Sequence, residues 1–464
     1  MKKILTIIIF LLIAPLGFSQ EIEGIWNSTL EVQPGRKLLF VFQITKIANK
    51  LESEIDIPSQ GVKGIRTSKT IFEDGQLFID ASNIGFKYSG TWNTATGNIE
   101  GTFQEGVNKV PLGLTKEVLE EIKLNRPQEP TLPYPYLEEE VKFENLEAKI
   151  TLAGTLTLPN LSGKKPPVVI LISGSGPQDR NQSFQSHRTF LVLADHLTKM
   201  GISVLRFDDR GFGESTGNFA ESNTADFATD VLSAIDFLKR RSDIDVNKLG
   251  LVGHSEGAII APMVANQSKD VNFIVMLGGT GTAGKEVSLR QAIDSRNFPI
   301  ADEKQYKTYV KEAIDIASSE RETDIVRREL KTYYQNSDLL ASLLPPNVDR
   351  EEFIETLVAA RTTPWVRYFY NYNPVTEIKK IKVPALALYG SNDTQVPPKY
   401  HLQPVKESLA LSESKNYEVV LIEGLNHLFQ ESKSGLISEY SQIEQTFAPV
   451  ALEKISSWIL KQTK

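Results

Sequence analysis

Two serines of this sequence lie between glycines in the pattern Gly-x-Ser-x-Gly, which often surrounds a nucleophilic serine. Ser255 lies in "GHSEG" and Ser215 lies in "GESTG". A serine hydroxyl acts as a nucleophile only where it is exposed on a tight turn and where a neighbouring base can take its proton. Because the pattern occurs twice, the predicted elements on either side of each serine must decide between them.

The surrounding sequence favours Ser255 as the nucleophile. The apolar run "LGLVG" ends just before it and predicts a buried strand, whereas "GAIIAPMVA" follows it and predicts a helix. A strand that turns directly into a helix is the setting in which such a serine is exposed. Ser215 lies in "DDRGFGESTGNFAESNT", which predicts loop on both sides, so we interpret it as structural. The glycines of that loop do not indicate a dinucleotide site, since no helix begins directly at them.

The general base must be one of five histidines. His187, His196 and His401 lie in predicted helical segments, and His254 adjoins the nucleophile at a sharp turn that should direct its side chain elsewhere. His427, in "IEGLNHLFQ", follows a late buried strand. The catalytic side chains of parallel sheets collect at the carboxyl ends of strands. We therefore predict that His427 is the base.

The acid that orients this histidine should also follow a strand. Asp393 does so in "ALALYGSNDTQVP", and its neighbour Asn392 carries no charge that could stabilise an imidazolium. An aspartate in a turn is usually only a cap. The chain order Ser255, Asp393, His427 is nevertheless one of the known orders of a catalytic triad, and we predict these three residues to be catalytic.

The larger part of the chain predicts a mostly parallel sheet wrapped by helices. Unalternated apolar runs such as "PVVILIS", "ISVLRF" and "VNFIVMLG" predict strands that are buried on both faces. Helical patterns such as "ADFATDVLSAIDFLKRR" lie between most of these runs. Alternation of strand and helix is typical of the α/β class.

One interval of this region, from about residue 285 to 372, contains no buried-strand pattern. It is charged helical sequence that ends in the aromatic cluster "WVRYFYNY". An insertion of this size over the strand ends predicts a helical cap, although a helical subdomain without substrate contact has the same pattern. We predict that Trp365, Tyr368 and Phe369 line the substrate pocket.

Three further segments precede this region. Residues 1–19 have two lysines followed by an apolar run and small residues, which predicts a signal peptide and hence a secreted or periplasmic protein. Residues 20–115 show short alternating runs between glycine-containing turns, which predicts a small β domain of unknown role. Residues 116–140 are rich in proline and predict a linker, so that the large domain extends over residues 141–464.

Composition excludes several classes of function. The chain has 464 residues, a net charge of -7 and no cysteine. The negative charge gives no basis for binding nucleic acid, and the lack of cysteine excludes disulfides, thiol nucleophiles and thiolate metal sites. Beyond the signal peptide, no segment is apolar enough to predict a membrane span in the mature chain.

Five motifs together resemble the α/β-hydrolase superfamily, and within it the bacterial serine esterases grouped with S33 aminopeptidase-like hydrolases. They are "LISGSGPQDRN", "RFDDRGFGES", "GHSEG", "YGSNDTQVP" and "LNHLF". The resemblance implies an oxyanion hole that uses the backbone N–H of Glu256 and a second N–H from the "SGSG" loop. Many relatives have His-Gly in that loop, and this chain has Ser-Gly, which leaves Ser175 and Gly174 as alternatives for the second donor.

These observations predict a serine hydrolase that cleaves carboxylic esters through an acyl-enzyme and needs neither a metal ion nor an organic cofactor. The substrate would be a small-molecule ester or a short peptide. One alternative is an S33-type aminopeptidase, which would need a carboxylate near the nucleophile to bind a free α-amino group. The cap offers Glu312, Asp315, Glu320, Glu322 and Asp324 for that purpose. Another alternative is a binding protein that has this fold without catalysis. Oligomeric state is not predicted.

Overall fold

Two large sheets organise the chain in the computed structural model. It describes residues 22–33, 36–48, 50–58, 62–82, 85–105, 108–119, 125–161, 163–294, 300–344 and 348–464. The predicted signal peptide, residues 1–19, lies outside the described residues.

The first sheet forms the N-terminal domain and is antiparallel throughout. Its strands are β1 Gly24–Gln33, β2 Arg36–Ile47, β3 Lys50–Ile57, β4 Val62–Arg66, β5 Lys69–Glu73, β6 Gln76–Ala81, β7 Phe86–Trp92, β8 Ile99–Glu105 and β9 Asn108–Leu114. Asn27 and Thr115 exchange two backbone hydrogen bonds of 2.7 and 2.9 Å, which join the first strand to the end of the last. The sheet therefore closes on itself.

Aromatic side chains fill the interior of this closed sheet. Trp26, Tyr88 and Phe103 are buried there. A Cβ atom at Gly101 would lie 2.2 Å from the Tyr88 Oη, so the tyrosine ring occupies the space that a side chain at this position would need. The absence of a side chain at Gly101 thus allows the Tyr88 ring to pack inside this domain.

The described part of the proline-rich segment is bound to the large domain. The Arg126 guanidinium donates hydrogen bonds of 2.9 Å to the carbonyl oxygens of Ser186, Ser441 and Ile443. Gln128 adds bonds to the backbone of residues 446 and 447. These hydrogen bonds hold the described part of this segment against the large domain.

The second sheet has eight strands, and its helices cover both faces. The strands are β10 Leu137–Asn145, β11 Ile150–Leu158, β12 Val168–Ile172, β15 Ser203–Phe207, β16 Leu249–His254, β17 Phe273–Leu277, β18 Ala385–Gly390 and β19 Tyr417–Ile422, while β13 Ser183–Phe184 and β14 His187–Arg188 form a separate small hairpin. The helices outside the cap are α1 Thr189–Lys199, α2 Thr224–Lys239, α3 Gly257–Gln267, α10 Pro374–Ile378, α11 Pro398–Ala410, α12 Ile437–Tyr440 and α13 Pro449–Gln462.

The strand order is β10-β11-β15-β12-β16-β17-β18-β19, and the strands from β15 to β19 are mutually parallel. In strand β12 apolar and polar residues do not alternate. Val168 and Ile170 belong to the core on one face, whereas Val169 and Leu171 belong to the core on the other face. Both faces are covered by helices, so every position is apolar, as predicted.

Two strands of this sheet were not predicted. Strands β10 and β11 are antiparallel neighbours at one end of the sheet, and β10 begins at Leu137, inside the segment predicted as linker. In β10 the exposed residues Glu140, Lys142 and Glu144 alternate with Val141 and Phe143, which are buried. One face of β10 is exposed to solvent, so its sequence alternates, unlike the unbroken apolar runs of strands that are buried on both faces.

A helical subdomain is inserted between β17 and β18 and corresponds to the predicted cap. Its helices are α4 Gly284–Asp294, α5 Glu303–Ala317, α6 Thr323–Gln335, α7 Asp338–Leu343, α8 Arg350–Arg361 and α9 Pro364–Asn371. They enclose an apolar core of their own, which includes Ile314, Val326 and Leu330. The first and last helices pack closely, since a Cβ atom at Gly284 would lie 1.8 Å from the Phe369 carbonyl oxygen.

Among the described residues, no helix combines the length and the apolar character that a membrane crossing requires.

Candidate active site

Ser255 lies on a sharp turn between strand β16 and helix α3. Its φ angle is +55°, in the left-handed region that residues with a side chain rarely adopt. The glycines on either side permit the turn: a Cβ atom at Gly253 would lie 2.0 Å from the Gly257 carbonyl oxygen, and one at Gly257 would lie 2.1 Å from that of Ile172. The turn is strained, and the Ser255 side chain is partly exposed at the carboxyl end of the sheet.

His427 and Asp393 form a buried hydrogen-bonded pair. His427 follows β19 and Asp393 follows β18, and 2.7 Å separates the histidine Nδ1 from the aspartate Oδ2. The other carboxylate oxygen accepts the backbone N–H groups of Gln395 and Val396. Burial opposes the charge on Asp393, but His427 and these donors hold the pKa of Asp393 below its usual value. The carboxylate thus accepts from Nδ1–H, and Nε2 is left without a proton in the neutral ring.

This pair lies beside the serine turn. The Ser255 backbone N–H donates to the Leu277 carbonyl at the end of β17, and a Cβ atom at the next residue, Gly278, would lie 3.2 Å from the His427 ring. The rings of His254 and His427 have centroids 4.7 Å apart. The described residues show no hydrogen bond from the Ser255 hydroxyl to His427. Catalytic hydrogen bonds are often long in unliganded enzymes and shorten when substrate binds.

The loop after β12 lies against the serine. A Cβ atom at Gly174 would be 3.2 Å from the Ser255 Cβ, so the main chain of the loop approaches the turn closely. The Gly174 N–H donates to the Gln182 Oε1 at 3.1 Å. Within the described chain, neither the Ser175 N–H nor the Glu256 N–H has a hydrogen-bond partner. Two amides near the serine are therefore available to a ligand.

The Glu256 side chain connects the serine turn to the cap. Its Oε1 accepts a hydrogen bond of 2.7 Å from the Trp365 Nε1 on α9 and one of 2.6 Å from the Thr224 hydroxyl on α2. Burial raises the pKa of Glu256, against the lowering effect of these two donors. Trp365 stacks on Phe369 with ring centroids 5.1 Å apart, whereas Tyr368 stacks on Tyr372. The cap thus contacts the residue that follows the serine.

Ser215 has a different environment from Ser255. Its hydroxyl donates to the Asp208 carbonyl at 2.8 Å and accepts the Ala153 N–H at 2.9 Å, and the residue is buried. His401 is also occupied, because its Nδ1 accepts the Gly281 N–H at 3.1 Å. These groups hold loops of the large domain together.

His187 gives a testable pH dependence of stability. Its ring contacts the Thr446 hydroxyl and the Tyr440 carbonyl, and burial together with the charge of Arg126 lowers its pKa from 6.5 to about 4. Between these two pKa values His187 is protonated in the unfolded chain but not in the folded protein. The free energy of unfolding therefore falls by about 1.4 kcal/mol for each unit by which the pH is lowered. We expect His187→Gln to lose this part of the slope when urea unfolding is compared at pH 7, 6 and 5. If the free energy of unfolding depends on pH in the same way in both proteins, this assignment is contradicted.

Two features of the site have no signal in the sequence. The Gln182 side chain contacts Gly174 and His254, eight and 72 positions away. The bond from Trp365 to Glu256 joins residues 109 positions apart. Only the folded chain brings these groups together, since nothing in their local sequence marks them.

Comparisons with known proteins found a matching family model, similar sequences and similar structures. The family model described as "Serine aminopeptidase, S33" matches residues 184–333. The chain is 28% identical to Esterase EstD of Thermotoga maritima over 325 residues, which cover 69% of this chain and 68% of that protein. It is 34% identical over 109 residues to the uncharacterized protein Rv2307c of Mycobacterium tuberculosis, across 24% of this chain and 35% of that protein. The Pyrococcus furiosus esterase Pf2001 has 15% sequence identity and a TM-score of 0.44, over 75% of this chain and 100% of that one.

The strand order, the strand-to-helix turn at Ser255 and the family match show that the large domain has the α/β-hydrolase fold, which confirms the predicted fold class. Its similarity to Esterase EstD supports a hydrolase of the esterase group.

Proposed function

We propose that this protein is a serine esterase that cleaves carboxylic esters through an acyl-enzyme. The observation that carries the proposal is the 2.7 Å hydrogen bond between His427 and Asp393 beside a serine at a φ of +55°. In this mechanism the Ser255 hydroxyl attacks the ester carbonyl while the His427 Nε2 takes its proton and then gives it to the leaving alcohol. Water attacks the acyl-enzyme in the same way, and Asp393 stabilises the imidazolium in both steps.

The oxyanion of each tetrahedral intermediate would be bound by two backbone N–H groups. We propose that they belong to Glu256 and Ser175. Of the two alternatives in the "SGSG" loop, Ser175 is supported because the Gly174 N–H already donates to the Gln182 side chain. Removing one donor of this kind costs on the order of 3 kcal/mol at the transition state.

Carboxylate contacts favour an ester over a peptide substrate. An aminopeptidase needs a fixed, unpaired carboxylate near the serine to bind an α-amino group. Glu256, the acid next to the serine, is buried and already accepts two hydrogen bonds. The acids that the cap offers for this role are all exposed, and several are engaged elsewhere; they are Glu312, Asp315, Glu320, Glu322 and Asp324.

The deciding experiment compares kcat/KM for p-nitrophenyl acetate and butyrate with that for proline and alanine p-nitroanilides, in wild type and in Ser255→Ala. We expect ester turnover that exceeds anilide turnover and is lost in the variant. Anilide turnover that equals or exceeds ester turnover, and that is lost in the variant, would establish the aminopeptidase instead. No turnover and no fluorophosphonate labelling of folded protein would favour the binding protein.

The cap gives a prediction for substrate selection. We propose that Trp365, Tyr368 and Phe369 contact the substrate, since Trp365 bonds to the residue that follows the nucleophile. Trp365→Phe keeps an aromatic ring and removes this bond, so we expect a change of about tenfold in the ratio of kcat/KM for acetyl and octanoyl esters, because apolar pocket contacts contribute about 1–3 kcal/mol to selectivity. Tyr333→Phe is the matched control, because Tyr333 bonds to Glu312 elsewhere in the cap. If the ratio is unchanged in Trp365→Phe, the proposed contact between Trp365 and the substrate is wrong.

We also propose that the protein is secreted or periplasmic. Support comes from the lysines and apolar run of residues 1–19. N-terminal sequencing of protein recovered from the exported fraction would test it, since cleavage near residue 19 is expected.

A further inference from the structure

Gln182 is a buried residue with an unusual backbone conformation, in the loop between β12 and α1. Its φ angle is +48°, and 3% of its surface is exposed. The Thr189 hydroxyl donates to the Gln182 carbonyl at 3.1 Å and holds the backbone in place. A non-glycine residue is strained in this region, and such conformations cluster at functional sites.

The Gln182 amide makes three hydrogen bonds that determine its orientation. The Gly174 N–H can only donate, so the oxygen Oε1 must face it, at 3.1 Å. The two hydrogens of Nε2 then point to the Thr189 Oγ1 and to the His254 Nδ1, each at 3.0 Å. Every hydrogen of the amide is therefore engaged.

This orientation determines the tautomer of His254. Its Nδ1 accepts from Gln182, so its Nε2 carries the proton and donates to the His427 carbonyl oxygen at 2.8 Å. Burial, together with the nearby His427, lowers the pKa of His254 to about 3, and the ring is neutral at neutral pH. A single chain of hydrogen bonds thus runs from Gly174 through Gln182 and His254 to the main chain of His427.

We propose that Gln182 is a positioning residue that aligns the three loops of the active site. Its amide bonds directly to the main chain of the Gly174 loop. Through His254, the amide is also connected to the turn of the proposed nucleophile and to the loop of the proposed base, His427. The inference rests on the proposed esterase mechanism, because it assigns a role to those three loops. By engaging the Gly174 N–H, Gln182 also makes the next amide, that of Ser175, the one available to the oxyanion.

Gln182→Glu tests this role with little change of shape. When ionised, the new carboxylate still accepts the Gly174 N–H but cannot donate to the His254 Nδ1, so His254 must then place a proton on Nδ1. We expect kcat for p-nitrophenyl butyrate to fall about 10- to 100-fold with KM changed less than about threefold, since a misplacement of about 1 Å costs about 100-fold. Correlation of ring ¹⁵N and ¹H shifts should show His254 protonated at Nε2 alone in wild type and at Nδ1 in the variant.

Gln128→Glu is the matched control. The Gln128 amide also makes three hydrogen bonds, to the backbone of residues 446 and 447, and it lies in the segment before the large domain. We expect this variant to lower the melting temperature while kcat stays within about twofold of wild type, as for a change away from the site.

The outcomes separate this inference from the proposed function. A folded Gln182→Glu protein with kcat within twofold of an active wild type would overturn the role of Gln182 and leave the esterase intact. If the variant does not fold, the wild-type spectrum still decides, because a proton on the His254 Nδ1 at pH 7 would overturn the hydrogen-bond chain. A wild type that hydrolyses neither esters nor anilides would instead contradict the proposed function, whatever the tautomer of His254.

Discussion

Ser255→Ala is expected to lower kcat for p-nitrophenyl butyrate by about 10⁴-fold or more and to abolish fluorophosphonate labelling, because nucleophile and base act as one unit. The free energy of unfolding should change by less than about 1 kcal/mol, since the Ser255 hydroxyl makes no hydrogen bond to the rest of the described chain and the site is partly exposed. Steady-state kinetics, probe labelling and urea unfolding measure the three quantities.

Ser215→Ala is the matched control for this experiment, because it changes the other serine of the same motif. It should keep its activity and its labelling. It should lose about 1–3 kcal/mol of stability, since the Ala153 N–H and the Asp208 carbonyl would each lose a buried partner. Undiminished labelling of Ser255→Ala together with loss of labelling in Ser215→Ala would reverse the assignment of the nucleophile.

Asp393→Asn is expected to lower kcat by about 10⁴-fold with little change in KM. An asparagine amide at this position can donate to the His427 Nδ1, so the ring proton moves to Nε2. A protonated Nε2 cannot accept the proton of the Ser255 hydroxyl. In wild type the pKa of Asp393 lies below its usual value, so the carboxylate stays charged through the neutral range and keeps Nδ1 protonated. The pH profile of kcat/KM and ring ¹⁵N shifts of His427 would report the change of tautomer.

A second buried aspartate provides the control for that change. Asp195 accepts a hydrogen bond of 3.0 Å from the Tyr136 hydroxyl and pairs with Lys199 on α1. Asp195→Asn removes the charge of another largely buried carboxylate, away from the serine, and its kcat should remain within about twofold of wild type. Equal losses of activity in Asp393→Asn and Asp195→Asn would indicate a general effect of stability and would contradict a catalytic role for Asp393.

The fold class could be predicted from sequence because a strand that is buried on both faces has a recognisable local sequence pattern. Strands such as β12 and β17 are apolar at every position, and helical patterns separate most of them. Strand β10 could not be predicted in this way, because one of its faces carries exposed glutamates and its alternation resembles that of a solvated segment. The cap could be located as an interval without strands, but its separate apolar core appears only when its helices pack.

The candidates for catalysis could be identified from sequence alone, because each lies directly after a buried strand and the carboxyl ends of parallel strands share one edge of the sheet. Ser255, Asp393 and His427 follow from that rule. Which polar groups are already hydrogen-bonded becomes visible only in the folded protein. The Gly174 N–H is occupied by Gln182, and Glu256 is occupied by Trp365 and Thr224. A hydrogen bond between distant segments depends on distance and angle in the packed protein, and residue type and spacing record neither.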